Sequence, residues 1–518
     1  MQFKLNISSA ASIIFGVSDF ARRGFIVKNR RIYLPLAAAG LAAGVLSGCL
    51  NYQRPPLAVD QSSYTILQEN EKYLLPADLK ILTLEQAQEL ALKNNPDFLS
   101  IKFSIDSARA RYYQQFSNYA PTLNAGMSIS QSFSKVYASS SRLEPRSQRD
   151  GISPALSGQW LIFDSLNREM NLLSAKHTLK QTEANVNDAR RLLLRAVAYA
   201  YNDVQLSYAQ KEIIKAQIEY SKTMLKDAER KYKAGTTLKS DMLNFRVTLR
   251  NGQLDLVKIN YTIKANLYVL AGYLGLTDGT IPAGVKFPPI KMPEDNYASS
   301  IEVYLDQALA NRPDLKAARE RLQSLRYAFY GSLSKFGPTA TFNYQLGYGY
   351  DRGITHDSSG DGHSWSSTGN FNYSFNVTWN LFNGFSDYFN VKASKAEVSA
   401  ADYMLYQLWL SVITDVRTAY ENHKSSIIQA KIAQDICNLT RETRDLVENE
   451  YNAGTALVTR LNEAERDLVQ AQNNLATAIV NIANTKAQLD AAIYSFTPTE
   501  ENDEEKTPTA EDKKSNAK

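Results

Sequence analysis

Residues that commonly carry catalysis or bind metals are scarce in this sequence. It has two cysteines and four histidines among 518 residues. The sequence shows no glycine-rich phosphate-binding loop and no Ser/His/Asp or Cys/His set. We therefore predict that the protein is not an enzyme and that it has no metal site and no soluble cofactor.

One polar segment holds side chains that a metal ion uses as ligands. These are His356, Asp357, Asp361 and His363. Their spacing matches no diagnostic metal-binding pattern. Turn-forming residues surround them, so we interpret the segment as a solvated loop rather than a metal site.

Net charge is also absent from most of the chain. Six of the 58 basic and one of the 53 acidic residues lie within 1–48, so the rest of the chain holds equal numbers of both. The excess of positive charge therefore comes from the N-terminal segment 1–48, which we interpret as a leader. Because the rest of the chain is neutral, we predict no nucleic-acid partner.

The leader has the composition of an export signal. A basic stretch, Lys28-Asn29-Arg30-Arg31, precedes an apolar segment over 32–48. Leu46-Ser47-Gly48-Cys49 resembles the bacterial lipobox, in which the cysteine receives a diacylglycerol and, after cleavage, an N-acyl chain. An uncleaved membrane anchor is the alternative, because about 17 apolar residues can just span a bilayer. The long stretch before the basic residues, over 1–27, favours a translation start further downstream.

Acylation of Cys49 would leave Cys437 without a partner, so we expect no disulfide. Residues 49–82 follow as a polar segment with little periodicity. We predict that they form an acylated strap leading to the folded body. The tail over 497–518 has seven acidic and four basic residues and no apolar run, which predicts disorder.

The chain between the strap and the tail consists of one sequence unit that occurs twice in tandem. The turn Tyr232-Lys233-Ala234-Gly235-Thr236 recurs as Tyr451-Asn452-Ala453-Gly454-Thr455. Trp160 and Trp379 are shifted by the same offset of 219, whereas upstream pairs such as Pro121 and Pro338 are shifted by 217. This self-similarity predicts a tandem repeat over 83–297 and 298–496.

Each repeat is predicted to begin with a capped helix that a proline interrupts. Thr83 with Gln86, and Ser299 with Glu302, have capping-box spacing. Alternating apolar and polar residues then predict four strands, over about 122–135, 152–163, 339–350 and 370–382. Polar, turn-rich loops are expected between the paired strands, over 136–151 and 351–369.

The alternating pattern of the strand pairs fits either transmembrane strands or the strands of an ordinary β-sandwich. Their polar face is nearly free of charge and their apolar face is rich in aromatics, which favours a barrel wall. Four strands cannot enclose a lumen, and an open sheet edge is not tolerated in lipid. A symmetric oligomer in which each subunit contributes four strands solves both problems.

Long helical runs flank the two turns. Residues 166–233 would extend roughly 100 Å at 1.5 Å per residue. The helix after the first turn carries an apolar seam with alternating spacings of four and three, and the seam recurs after the second turn with more alanine. Helices packed laterally into a tube explain these small seams, and a simple two-stranded coiled coil is the alternative.

The chain resembles the TolC-like outer-membrane efflux proteins over nearly all of residues 83–496. The Ala-Leu-x-Asn-x-Pro-Asp stretches at 91–97 and 308–314 are similar to that family's signature. The Ala-Gly-Thr turns at 234–236 and 453–455 resemble its periplasmic tip turns. Cys49 followed by Tyr52-Gln53-Arg54-Pro55 is similar to its lipid-anchored, drug-efflux branch.

The resemblance implies a mainly α fold with transmembrane β-structure. Three subunits would form a twelve-stranded outer-membrane barrel that continues into a long periplasmic α-helical barrel. A periplasmic membrane-fusion adaptor and an inner-membrane transporter, most often of the resistance-nodulation-division type, would complete an efflux pump.

The resemblance also implies where the duct opens. Both tip turns, at Tyr232, Ala234, Gly235, Thr236 and at Tyr451, Ala453, Gly454, Thr455, would contact the adaptor, with positive φ at both glycines. A gate would involve Ser240, Asp241, Arg460 and Glu463. Arg460 departs from the acidic residue that the family often has there, so an anionic entrance is in doubt. The alternative interpretation is that these four residues are ordinary solvent-exposed side chains on the helices and form no gate.

The resemblance therefore implies that the protein is the outer-membrane exit duct of an efflux pump for small molecules such as drugs. The alternatives are the duct of a type I protein-secretion or metal-efflux system and, from a different class, a structural coiled-coil lipoprotein. Amphipathic strand pairs argue against a spacer, because a spacer needs no barrel.

Overall fold

The computed structural model describes residues 80–135, 146–276, 279–282, 284–292, 300–357 and 360–495. Eight α-helices and four strands lie in these ranges. In chain order they are α1 Leu84–Asn94, α2 Pro96–Phe116, β1 Thr122–Lys135, β2 Arg146–Phe163, α3 Asn167–Lys233, α4 Lys239–Tyr273, α5 Ile301–Asn311, α6 Pro313–Leu333, β3 Thr339–Asp357, β4 Gly360–Thr378, α7 Ser386–Asn452 and α8 Val458–Ile493.

The second half repeats the first element by element. Each half runs through two short helices, a 3₁₀ turn, two strands, a long helix and a shorter one. The long helices α3 and α7 have 67 residues each, so each extends about 100 Å at 1.5 Å per residue. None of the described helices meets the length and apolarity that a membrane crossing requires.

The two short helices of each repeat are separated by a proline. Pro96 begins α2 and Pro313 begins α6, and both occupy the first helical turn. The preceding residues, Asn95 and Arg312, have extended ψ angles of 119° and 126°. A residue before proline avoids helical geometry, so the sequence itself divides the helix at this point.

Only one of the two predicted capping boxes is confirmed. The Gln86 backbone N–H donates to Thr83 Oγ1, and the Thr83 N–H donates to Gln86 Oε1. In the second repeat the N-cap residue of α5 is Ser300, and it makes no side-chain cap bond to the described residues. The cap, with an extended conformation at Ser300, lies one residue after the predicted position. Ser299 itself lies outside the described residues.

The repeat also reproduces its core. Apolar side chains from α1, α3 and α4 pack together in the first half, and their equivalents from α5, α7 and α8 pack together in the second. Val197 and Ala200 correspond to Val416 and Ala419, and all four are buried. The short helices therefore dock in the same way onto both long helices.

A short backbone pairing joins the start of the described chain to the linker after α4. The Leu82 N–H donates to the Lys286 carbonyl at 3.1 Å, and the Lys286 N–H donates to the Lys80 carbonyl at 3.0 Å. Leu82 is fully buried, and its carbonyl accepts from the Tyr201 hydroxyl at 2.9 Å. The end of the predicted strap is thus held against α3.

The four strands form one sheet in the order β1-β2-β3-β4. The polypeptide divides into two compact units. One contains Ala125–Leu156 and Gly347–Thr368, and the other contains the helices and the remaining strand residues. In the second unit, Gly158 of β2 faces the ring of Tyr344 of β3, whose hydroxyl lies 3.4 Å from the Thr122 carbonyl.

The predicted strands had the right positions but partly wrong ends. β2 starts at Arg146, β3 continues to Asp357 and β4 starts at Gly360, so residues 146–151 of the first predicted loop and most of the second are strand. Turn-type residues pair inside the sheet there, as Gly151 beside Asp351 shows. β4 ends at Thr378 rather than at 382, because the chain turns through Gly384 and Phe385, both with positive φ.

The predicted helical seams are buried along most of their length. In α4 the buried members are Met242, Phe245, Gly252, Ile259, Ile263 and Leu270, and in α8 they are Leu461, Ala464, Leu468, Ala471, Ile482, Thr485 and Leu489. Each seam starts one turn later than expected. Leu238 and Leu457 are N-cap residues and are exposed.

Candidate functional site at the helix turns

The first predicted turn is a glycine-ended helix cap. The Thr236 N–H donates to the Lys231 carbonyl at 2.9 Å, and the Gly235 N–H donates to the Tyr232 carbonyl at 3.0 Å. This pair of bonds is the Schellman motif, which satisfies carbonyls at a helix end. Gly235 has a φ of +77°, as predicted from the sequence.

The second turn repeats the same geometry. The Thr455 N–H donates to the Glu450 carbonyl at 2.9 Å, the Gly454 N–H donates to the Tyr451 carbonyl at 3.1 Å, and Gly454 has a φ of +80°. Thr236 Oγ1 and Thr455 Oγ1 each add a 3.0 Å bond to the carbonyl that their own N–H already uses. The Ala-Gly-Thr sequence therefore specifies this turn twice.

Contacts across the repeat bring the two turns together. The Lys231 ammonium of α3 lies 4.9 Å from the ring centre of Tyr451 in α7, and the Phe245 ring of α4 meets that ring edge-on at 5.9 Å. Burial, followed by the charges of Asp241 and Asp227, raises the pKa of Tyr451. Its repeat equivalent, Tyr232, is exposed.

An apolar layer from four helices lies behind the turns. We call it the tip core. Its buried members are Met224, Ala228, Met242, Phe245, Val447, Val458, Leu461 and Ala464, contributed by α3, α4, α7 and α8. The small alanines let the helices approach closely, so both hairpins are packed as one body at this end.

Among the predicted gate residues that the structure describes, Ser240 and Asp241 contact each other, but neither contacts Arg460 or Glu463. Asp241 Oδ2 accepts from Thr237 Oγ1 at 3.1 Å, and Ser240 Oγ is 3.5 Å from Asp241 Oδ1. Arg460 and Glu463 are exposed, and neither side chain forms an ion pair with another described residue. Arg460 and Glu463 are therefore accessible to other molecules, whereas Asp241 is partly buried and bonded within its own turn.

An ionic cluster near the tip core, in which only Glu465 is buried, was not predicted from the sequence. Arg444 of α7 lies among Asp445, Glu448 and Glu465, with the Tyr220 ring on its other side. A signal was available in the repeat. Glu229 and Arg246 of the first half form an ion pair at 3.1 Å, and the positions equivalent to them in the second half are Glu448 and Glu465.

Two further sequence predictions fall wholly or partly outside the described residues. Cys49 and the strap before residue 80 are not described. The side chains of His356, Asp357 and Asp361 are not described either, whereas that of His363 is exposed. Among the residues that the structure describes, no group of three His, Cys, Asp or Glu side chains is placed to hold a metal ion.

Comparison with known proteins relates both repeats to one family. The family described as outer membrane efflux protein matches residues 87–276 and 304–493. Among curated proteins, the alkaline protease secretion protein AprF of Pseudomonas aeruginosa is 25% identical over 194 residues. That match spans only 37% of this chain and 39% of AprF.

Solved structures match over almost their whole length. The outer-membrane channel OprN is 18% identical with a TM-score of 0.62, covering 86% of this chain and 98% of OprN. The CmeC outer membrane channel of Campylobacter jejuni is 18% identical with a TM-score of 0.63, covering 85% of this chain and 94% of CmeC. At this identity the likeness concerns the fold. It confirms the predicted class, a mainly helical tandem repeat with strands, as in TolC-like channels.

Proposed function

Because the chain belongs to the outer membrane efflux protein family, we propose that it is the outer-membrane exit duct of a tripartite pump for small molecules. The observation that carries this proposal is the family match over both repeats. The family consists of channels rather than enzymes, in agreement with the scarcity of catalytic residue types. The route would lead from the periplasm or the inner membrane to the outside.

The exposed sheet supports placement in the outer membrane. Large apolar side chains project from β1 and β4 with more than half of their area exposed; they are Leu123, Met127, Ile129, Phe133, Phe371, Tyr373, Phe375 and Val377. The described part of a single chain leaves this face uncovered, and a lipid bilayer would cover it. Polar Ser, Thr and Asn alternate with these residues and would face water in a lumen.

The sheet also supports a trimer. Its edge strands, β1 and β4, have no further strand beside them in the described part of one chain, and open edges are not tolerated in lipid. Three copies of four strands give a closed barrel of twelve, an even number typical of outer-membrane proteins. The three pairs of helix turns would form the periplasmic mouth, where a membrane-fusion adaptor docks and an inner-membrane transporter delivers cargo.

Cys49 is proposed as the lipid-modified N-terminus of the mature protein. The diacylglycerol and N-acyl chains would tether the N-terminus to the membrane, and the barrel would hold the folded body there independently of them. Cys49→Ala should abolish labelling by a radioactive or alkyne-tagged fatty acid while the protein still reaches the outer membrane. Mass spectrometry of the mature N-terminus would overturn this assignment if Cys49 were unmodified or if the mature chain began elsewhere.

A duct for protein secretion is the second candidate. The relative AprF is described as an alkaline protease secretion protein, so this scaffold also occurs in a secretion protein. Deletion of the gene separates the two functions. Loss of small-molecule efflux with an unchanged set of secreted proteins supports the pump. Loss of one secreted protein with normal drug susceptibility supports secretion.

Conductance in planar bilayers tests the channel itself. Purified full-length protein should give discrete ion currents with a uniform unit size, and native mass should correspond to three chains. A monomer or dimer with intact transport would contradict the proposed assembly. A protein that reaches the outer membrane but never conducts would favour the structural lipoprotein.

A further inference from the structure

Arg444 lies in a cluster of three carboxylates near the tip core. Its Nη2 lies 3.0 Å from Asp445 Oδ1 and its Nη1 lies 3.2 Å from Glu448 Oε2. The remaining nitrogen, Nε, is 3.9 Å from Glu465 Oε2, which is too long for a hydrogen bond. The face of the guanidinium lies 5.2 Å from the ring centre of Tyr220 on α3.

Three buried polar atoms in this cluster have no hydrogen-bond partner among the described residues. They are Tyr220 Oη, Arg444 Nε and Glu465 Oε2, from α3, α7 and α8 respectively. The Glu465 side chain is only 8% exposed. A buried carboxylate is costly unless it is paired and hydrogen-bonded, and here the neighbouring cation is already engaged by two other carboxylates.

Burial raises the pKa of Glu465 to about 7. Arg444 acts in the opposite direction, and the charges of Glu448 and Asp445 add to the rise. Burial and the charges of Glu448 and Glu465 raise the pKa of Tyr220, so its hydroxyl keeps its proton. Arg444, Asp445 and Glu448 from α7 and Tyr220 from α3 are the titratable and charged groups that face Glu465.

The first repeat shows what a stable arrangement at these positions looks like. Glu229 and Arg246 attract each other there at 3.1 Å, and both side chains are more than 40% exposed. In the second repeat, glutamates occupy both equivalent positions, and Glu465 is buried. Where the first hairpin has a solvated pair of opposite charges, the second has a buried carboxyl whose charge depends on pH.

We propose that Glu465 is a proton-operated latch that sets how tightly the α7–α8 hairpin packs against α3 near the turns. When Glu465 is neutral, the cluster holds one cation and two carboxylates, and the hairpin closes over it. When Glu465 is ionised, a third carboxylate must be solvated and the hairpin loosens. The claim that Glu465 regulates the duct rests on the proposed function. The claim that its protonation tightens the hairpin does not depend on that function.

The direction of the pH dependence follows from linkage. A carboxyl whose pKa is higher in the closed state than in the open state favours closing when it is protonated. Closure should therefore be tightest in acid and weaken as the pH rises above the ordinary carboxyl range. The weakening should be complete once the pH exceeds about 7.

Cys437 is a natural reporter of this opening. It lies in α7 two helical turns before Arg444, and its side chain is buried with 1% exposure. The experiment measures how fast 4,4′-dithiodipyridine modifies Cys437 in the full-length purified protein from pH 4.5 to 8. The rate for the wild type is divided by the rate for Glu465→Gln at the same pH, so that the ionisation of the thiol itself cancels. Cys437→Ser gives the background.

The latch predicts that this ratio rises by at least about tenfold between pH 5 and pH 7.5 and then levels off. Glu448→Gln frees Arg444 for Glu465 and should move the rise to lower pH, which gives a second test if Glu465→Gln folds poorly. Asp467→Asn changes an exposed carboxylate two positions further along α8 and should behave as the wild type. A ratio that stays constant across this range overturns the latch.

Conductance distinguishes the latch from the proposed function. If both are right, the open probability in planar bilayers rises over the same pH range in the wild type and not in Glu465→Gln. A pH-dependent thiol ratio in a protein that conducts at no pH would support the latch and reject the channel. A protein that conducts but shows a constant thiol ratio would support the channel and reject the latch.

Discussion

The indole N–H of Trp379 donates to the backbone carbonyl of Phe336 at 2.8 Å and so ties the end of β4 to the 3₁₀ turn that precedes β3. The first repeat has the same bond, from Trp160 to the Tyr119 carbonyl at 3.0 Å. The offset between the repeats is 219 for the tryptophans and 217 for their acceptors. The two residues by which the offsets differ therefore lie within the strand pair. The hydrogen bond from the tryptophan to the 3₁₀ turn is the same in both repeats.

Trp379→Phe should destabilise the protein without changing its fold. The substitution keeps an aromatic ring but removes the donor of this bond, whose net contribution is about 1 kcal/mol. The thermal unfolding midpoint of the purified protein should fall by about 1 °C, because a given free energy shifts the midpoint less in a long chain. Trp365→Phe is the control, because that ring contacts Tyr350 and the Arg352 guanidinium rather than a carbonyl. Equal shifts in both variants would show that the indole bond contributes nothing.

Gly158→Ala should disturb the sheet where the repeats meet. An added Cβ would lie 2.3 Å from the end of the Tyr344 ring and 2.5 Å from the Thr122 carbonyl, and the backbone oxygen cannot move away easily. Overpacking of this kind costs about 1–3 kcal/mol. We expect reduced assembly and a lower unfolding midpoint, measured on protein extracted from the membrane.

Gly126→Ala in β1 is the matched control for this effect. An added Cβ there meets nothing within 4 Å among the described residues, so the variant should assemble normally. If Gly158→Ala is as stable as Gly126→Ala, the close approach of Tyr344 to β2 is not a constraint on the sheet.

The turns could be predicted from the sequence because their chemistry is local. A glycine just past a helix end, followed by threonine, specifies a positive φ and a pair of backbone bonds without help from the rest of the chain. The repeat then supplied an independent second copy at Gly454. Family resemblance and fold class were confirmed because many weak motifs occur in one order.

Other features depend on packing that no local pattern records. Turn-forming residues around Asp351 predicted a loop, but pairing across the sheet holds them in long strands. The burial of Glu465 arises from α3, α7 and α8 meeting at one level. In the sequence it is one charge among many along a helix. The comparison of equivalent positions, Arg246 against Glu465, was the one route by which sequence alone could have singled it out.

Gly454→Ala should weaken the second hairpin turn through its backbone conformation alone. No described atom lies within 4 Å of an added Cβ, but a φ of +80° costs an alanine about 1 kcal/mol. Gly454→Asn should be milder, since asparagine tolerates this conformation better. Hydrogen exchange of the amides of residue 454 and Thr455, which donate the two turn bonds, would be faster in the alanine variant than in the asparagine variant.

Gly272→Ala is the control for conformational freedom. That glycine lies in α4 with open space around it in the described structure, so alanine should leave stability unchanged or raise it slightly. If the turn contacts an adaptor, Gly454→Trp should also lower efflux while the barrel still conducts. Normal efflux in this variant would show that the turn only connects two helices.

The gate predicted from the sequence involves Asp241 and Arg460. The two side chains do not pair within the described part of one chain, and Arg460 is exposed, so a link between them must join neighbouring subunits. An exposed ion pair contributes at most about 1 kcal/mol, but threefold symmetry would repeat it three times. Such a gate is stable alone and still opens when a partner binds more tightly to the open form.

The double variant Asp241→Ala/Arg460→Ala should therefore raise resting conductance and make cells leaky to antibiotics, with an unchanged unfolding midpoint. Exchanging the charges, Asp241→Arg/Arg460→Asp, should restore a low conductance if the two residues attract each other across the interface. Arg250→Ala in α4 is the control, because it removes a charge of the same kind whose guanidinium bonds to Gln253, and it should leave conductance unchanged. Wild-type conductance in the double alanine variant would show that Asp241 and Arg460 are solvated helix charges.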